Sequence, residues 1–219
     1  RYSETTPIEV IAGDRFSNPV APATAVYFST THGIVGASAM TNGDGLGSVV
    51  LRSANPLPTT NGIVVVSAET AGRDEERVTD QTPVVFSGPT VLTLSPQAAR
   101  FGDYTLTVSD PLGNPLVDGT SVVVTVDGEG VELNGSTEVN LDDTAVTTSD
   151  LNGDGALQPN EVTVVTGRDI TVFPFSVTRD PESTEQSVSS ITVTVTSPNG
   201  DLTTSIFPSA SPTATTAGI

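Results

Sequence analysis

Asp150, Asn152, Asp154, Gly155, Gln158 and Glu161 stand at positions 1, 3, 5, 6, 9 and 12 of one twelve-residue stretch, Asp150–Glu161. Side-chain oxygens at alternate positions of a tight loop, closed by a carboxylate seven residues later, form a donor set for a hard cation. Asp150, Asn152 and Asp154 supply the first oxygens, and the main-chain carbonyl of Ala156 faces the same centre. Gln158 contributes directly or through water, and Glu161 closes the set with both oxygens. Gly155 permits the sharp turn that no β-carbon tolerates, and Leu157 anchors the loop to apolar surroundings. Three carboxylates so close repel one another unless a doubly charged ion sits between them, so Ca2+ is expected to order the segment.

The stretch is similar to the calcium loop of the EF hand, and the flanks depart from it. An EF hand has a helix on each side, whereas Glu161–Thr166 reads as a strand and Asn140–Ser149 as irregular. The loop chemistry is therefore expected on a β-hairpin, as a structural site rather than a sensor. Asn42, Gly43, Asp44 and Gly45 repeat the start of the pattern without the distal Glu and read as a turn. Asp142 and Asp143 read as a solvated pair, with ligation of a second ion as the other reading. His32, the sole histidine, falls in a strand-end turn with no serine in a nucleophile elbow. Carboxylates for glycoside hydrolysis lie in turns, with too few aromatics for a sugar cleft, so no catalytic residue is assigned. Asn134, Gly135 and Ser136 form a glycosylation sequon.

The elements that must hold the loop follow from composition. Thr and Val are the two commonest residues, and both favour strands. Ile63–Val66, Ser121–Val126, Glu161–Thr166 and Ser190–Thr196 read as strands, separated by Asn-Gly and Asp-Gly turns. The expected class is all-β, as antiparallel sandwiches. The eight basic residues are all Arg, against 26 acids, for a net charge of −18. That charge is repelled by phosphate backbones and anionic lipid, which excludes nucleic-acid binding and peripheral membrane binding. No apolar run is long enough to span a bilayer, so no membrane insertion is expected. Without Cys there is no disulfide or thiolate chemistry.

An internal repeat sets the domain organisation. Asp14, Asn18, Pro19, Val20, Thr24 and Val26 align without gaps on Asp110, Asn114, Pro115, Leu116, Thr120 and Val122, an offset of 110 − 14 = 96 residues. Each copy is a strand ending at Asp, an Asn-Pro turn, then a second strand. Residues 1–88 are expected to form one Ig-like domain and residues 89–200 a second. The second carries an insertion with the calcium loop between about Glu129 and Gln158. Residues 201–219 are left as a tail.

These motifs resemble the bacterial Ig-like domains of invasin- and intimin-type adhesins, called Big-1. The resemblance rests on Asp14, Asn18-Pro19, Val26–Thr30, Gly33 and Thr41–Leu51, and on Asp110–Pro115 in the second copy. It implies extracellular β-sandwiches that serve as spacers or adhesive modules, exported from a prokaryotic cell, and no catalytic residues.

Copy two opens with Val91–Pro96 before the strand Tyr104–Val108. Subtracting 96 puts its equivalent before Arg1, so the first domain is expected to lack its N-terminal strand. The absence of an initiator Met fits a processed chain or a segment of a longer one. Leu202, Thr204, Ile206 and Pro208 alternate as a strand would, making Asp201–Ile219 a candidate donor strand. The expected function is thus a non-enzymatic extracellular filament subunit, self-associating head to tail through this tail and rigidified by calcium. The alternative is a stalk or adhesive segment of an invasin-like cell-surface adhesin, meeting a receptor on a host or neighbouring cell.

Overall fold

Alternation of Val, Ile and Leu with Thr and Ser over short runs, broken by Asn-Gly and Asp-Gly, leaves the backbone little choice but antiparallel sheets. The computed structural model describes residues 4–72 and 76–209. It is all-β: two tandem Ig-like sandwiches, divided as Arg1–Gly88 with Thr144–Val165 in unit 1 and Pro89–Asp143 with Thr166–Ile219 in unit 2. The chain therefore passes from one unit to the other three times.

Unit 1 contains β1 (Thr5–Ile11), β2 (Ala25–Thr30), β3 (Ile34–Val35), β4 (Ser38–Met40), β5 (Leu46–Arg52), β6 (Ile63–Ala71) and β7 (Arg77–Val85). Its sheets run β1-β5-β3 and β4-β2-β6-β7. Ile8, Val26, Phe28, Val49, Leu51 and Val66 fill the core. Tyr27 is exposed: it alternates with Phe28 and takes the outward position of β2.

Unit 2 contains β8 (Val91–Ser95), β9 (Gly102–Ser109), β10 (Ser121–Glu129), β11 (Val131–Gly135) and β12 (Glu138–Asn140). After an excursion into unit 1 it resumes with β15 (Val172–Arg179), β16 (Ser187–Thr196) and β17 (Leu202–Ile206). Its sheets run β12-β10-β16-β17 and β11-β15-β9-β8. The excursion is a hairpin of β13 (Val146–Thr148) and β14 (Val162–Val164). Leu106, Val122, Phe173, Ile191 and Val193 form the centre of the unit 2 core. Tyr104 and Phe175 stack there at 5.0 Å.

Register shows how the copies correspond. Ile8, Val10 and Ile11 pair with Val49, Gly47 and Leu46, and their counterparts Tyr104, Leu106 and Thr107 pair with Phe175, Phe173 and Val172. In the other sheet, Phe28 pairs with Ala68 as Val124 pairs with Val193. By the same measure β11 and β12 match β3 and β4. The extra residues of copy two therefore lie between β12 and β15, overlapping the later part of the expected Glu129–Gln158 and running beyond it. Low similarity across Val131–Asn140 hid two ordinary strands there.

The tail expectation is also corrected. Leu202–Ile206 pairs antiparallel with Val195–Ile191, the place that β7 holds in unit 1, and Ile206 packs on the unit 2 core. The alternation that suggested a donor strand is satisfied by the strand's own sheet. Residues 210–219 lie outside the described residues.

The Asp/Asn-Pro corners fold alike. Asp14 Oδ1 accepts the amides of Phe16 (2.8 Å) and Asn18 (2.9 Å), while Asn18 Nδ2 donates to the same carboxylate. Asp110 Oδ1 accepts the amides of Leu112 and Asn114, both at 2.8 Å. Donation from the Asn18 side chain, then from the Asn18 and Phe16 amides, holds the Asp14 carboxyl below its ordinary 3.8. A lowered folded pKa gives stabilisation that is complete above the ordinary value and is lost as pH falls through the lowered one. An NMR titration of the Asp14 carboxyl carbon is expected to show a midpoint below 3.8, and Asn18→Ala is expected to move it back toward that value.

Candidate metal centre

Val146, Thr147 and Thr148 pair with Val164, Thr163 and Val162, so the acidic loop closes a short hairpin, as the flanking residues suggest. Gly153 and Gly155 take positive φ, both 73°, and let the chain reverse twice within a few residues. Pro159–Glu161 forms a single 3-10 turn that leads into β14.

Within the loop the side-chain oxygens bind the loop's own amides. Asp150 accepts from Gly153 (2.6 Å) through Oδ1 and from Gly155 (3.1 Å) through Oδ2. Asn152 Oδ1 accepts the Asp154 amide at 3.0 Å. Asp154 Oδ1 accepts the Ala156 amide at 2.8 Å, and its Oδ2 accepts from the Asn152 and Gln158 side-chain amides. Glu161 is the buried member, 2 % exposed. Its Oε1 takes the Leu151 amide (2.9 Å) and its Oε2 the Gln158 amide (3.1 Å), so this carboxylate ties both limbs of the loop together.

By type and order these donors fit a calcium ion: neutral and anionic oxygens, with the closing carboxylate preset by burial. The gathering of charge is incomplete. Among the described residues no group of three His, Cys, Asp or Glu side chains is assembled as a metal site. Asp150, Asp154 and Glu161 share one loop, and each is directed to backbone N–H groups. The carbonyl of Ala156 is the main-chain member of the set.

The hairpin is held on the outer surface of the first sandwich, within unit 1. Asn61 Nδ2 donates to the Pro159 carbonyl at 2.8 Å, and Gln81 Oε1 accepts the Leu157 amide. Gln81 is itself steadied by donating to Ser67 Oγ at 2.9 Å. Ile63, Val64, Val65 and Val66 are all buried, although alternation turns successive side chains to opposite faces. Val66 points into the core, which leaves Ile63 and Val65 on the outer face. Asn61 and Gln81 hold the hairpin beside that face, with Val162 buried in it. Asn61 and Gln81 were invisible to sequence reasoning: they act 98 and 76 residues away, and no local pattern signals them.

The remaining candidates are turn and surface residues. Asn42 Oδ1 accepts the amides of Asp44 (2.9 Å) and Leu46 (3.0 Å), a self-contained turn. Asp142 and Asp143 are exposed and fall in unit 2, whereas the acidic loop is in unit 1. His32 is half-buried between β2 and β3, and its carbonyl accepts the Thr30 hydroxyl at 2.7 Å. Asn134 is exposed on β11 and donates to Thr178 Oγ1. No helix among the described residues is long and apolar enough to cross a membrane.

No family model and no curated protein matches the chain. Among solved structures, it is similar to the crystal structure of a C-terminal 282-residue fragment of intimin in complex with the intimin-binding domain of the translocated intimin receptor. Identity is 15 %, the match covers 93 % of this chain, and the TM-score is 0.39. The chain spans 57 % of that fragment's length. A likeness at this level carries no argument about function.

A side chain-to-backbone hydrogen bond contributes about 1 kcal/mol, roughly a fivefold change in a local opening equilibrium. Gln81→Ala is therefore expected to speed amide exchange of Leu157 about fivefold, with β16 in unit 2 unchanged. Unchanged exchange at Leu157 would mean that Gln81 does not secure the hairpin.

Proposed function

We infer that this chain is a non-enzymatic segment of an extracellular, cell-surface protein of a prokaryote, a stalk or adhesive portion built of Ig-like domains. What supports it over a filament subunit is one observation: Leu202–Ile206 is engaged in its own sheet, paired with Val195–Ile191. Head-to-tail polymerisation needs that segment as a donor, and its pairing edge and its inward-facing Ile206 are already engaged in its own sandwich. The tandem repeat and the Asp/Asn-Pro corners, which resemble those of invasin-type adhesins, fit a modular spacer. A receptor on a host or neighbouring cell would be met through loops and strand edges.

Calcium enters this reading as a structural ion. Asp150, Asn152, Asp154, Ala156, Gln158 and Glu161 would hold it. Its charge would relieve the repulsion among the three carboxylates and fix the hairpin on unit 1. The net charge of −18 would keep such a surface protein soluble and self-repelling.

Light scattering on the intact chain in calcium-containing buffer tests the choice. The stalk or adhesive reading predicts a monomer at all concentrations. Large polymers that disappear when the chain is cut back to Gly200 would overturn it in favour of strand donation.

A further inference from the structure

Among the ten asparagines of this Thr-rich chain, only Asn134 has Ser or Thr two positions on. Glu132 stands two positions before it. Glu132-Leu133-Asn134-Gly135-Ser136 therefore meets both the Asn-x-Ser acceptor of N-glycosylation and its longer acid-x-Asn-x-Ser form, with no Pro at either x.

The fold puts this segment where a bulky group fits. Among the described residues β11 ends its sheet, paired with β15 through Leu133 with Val177 and Asn134 with Ser176. Leu133 packs on the unit 2 core, so alternation sends Glu132 and Asn134 to the outer face, and both are exposed. Asn134 Nδ2 donates to Thr178 Oγ1 at 3.0 Å, and Ser136 Oγ donates to Asp169 Oδ1 at 3.0 Å. Both bonds are open to water, which replaces either with little loss. Gly135 takes φ 99° where the chain leaves β11 for the other sheet. A β-carbon there would lie 2.7 Å from the Pro174 carbonyl oxygen, so the turn itself demands glycine between Asn134 and Ser136. Only the ladder to β15 has to open for a transferase to take the five residues.

The first sandwich shows what sets this edge apart. By register the counterparts of Glu132 and Asn134 are Ile34 and Gly36, so unit 1 has no acceptor there. β3 spans two residues and β11 five, so the acceptor stands on the longer edge strand. A longer edge is the better template for unwanted pairing, and a bulky hydrophilic group beside it blocks that pairing.

We propose that Asn134 is N-glycosylated and that the glycan covers the β11 side of the second sandwich. The donor is an oligosaccharide carried on a lipid diphosphate. Asn134 Nδ2 forms a bond to the anomeric carbon, the bond from that carbon to the diphosphate oxygen breaks, and the lipid diphosphate leaves with the electron pair. The proton lost from Nδ2 ends on that leaving group. The proposal rests on the extracellular reading, because such donors serve exported chains.

The test is a peptide map of chain recovered from the surface of the cells that make it. Cleavage after arginine gives Phe101–Arg168, which holds the whole acceptor. This peptide is expected to be heavier by an oligosaccharide, with fragmentation locating the sugar on Asn134. Asn134→Gln and Ser136→Ala are each expected to abolish the added mass, and Glu132→Gln to lower its occupancy. Ser136→Thr is expected to keep it, which separates loss of the acceptor from disturbance of the Asp169 bond. An unmodified peptide from surface-recovered chain would overturn the proposal alone, as would sugar that persists in Asn134→Gln. Chain found only inside the cell would overturn the extracellular reading and this proposal with it.

Discussion

A carboxylate taken out of water must find donors or a cation, and Glu161 sets that requirement for the hairpin. It ends the 3-10 turn just before β14, next to buried Val162, and accepts the amides of Leu151 and Gln158 from the two limbs of the loop. Without it the loop would be an acidic excursion with no fixed closure. With it, Asp150, Asn152 and Asp154 are drawn into successive tight turns, each accepting an amide two to five residues ahead. Asn61 and Gln81 then fasten the assembly to the first sandwich. A segment inserted in the second repeat thus becomes part of the first repeat's structure. β6 is buried on both faces over Ile63–Val66, with Ile63 and Val65 on the face beside which the hairpin is held.

The two copies can be compared strand by strand. Their pairing registers coincide strand for strand, from β1 and β9 through β7 and β17, and their Asp/Asn-Pro corners use the same hydrogen bonds. Unit 2 has β8 and, under it, fully buried Leu106 and Val108. Unit 1 keeps Ile8 buried where β5 covers it and leaves Val10 and Ala12 partly open. Each described strand of the first sandwich has a partner, and β1 ends its sheet among the described residues.

Much of this was legible in the sequence. Thr/Val alternation and Asn-Gly turns gave the all-β class, and the offset between Asp14 and Asp110 gave the tandem repeat. The twelve-residue acidic pattern marked the one loop with ligand-like chemistry, and its strand-like flank marked a hairpin. Three features escaped for physical reasons. Leu202–Ile206 looked unneeded because a strand's partner is set by long-range pairing, which its own pattern does not name. Val131–Asn140 looked like insertion because strands conserve periodicity and burial rather than residue identity. The docking of the hairpin on unit 1 depends on Asn61 and Gln81, two side chains with no local signature.

The central claim is that the acidic loop is a calcium site that secures the hairpin within unit 1. The most direct measurement is residue-resolved amide exchange on the intact chain with and without calcium, beside Glu161→Gln. Calcium is predicted to slow exchange in β13, β14 and β6 while leaving β10 and β16 of unit 2 unchanged, and Glu161→Gln is predicted to abolish that slowing. No calcium effect, or one confined to unit 2, would contradict the account.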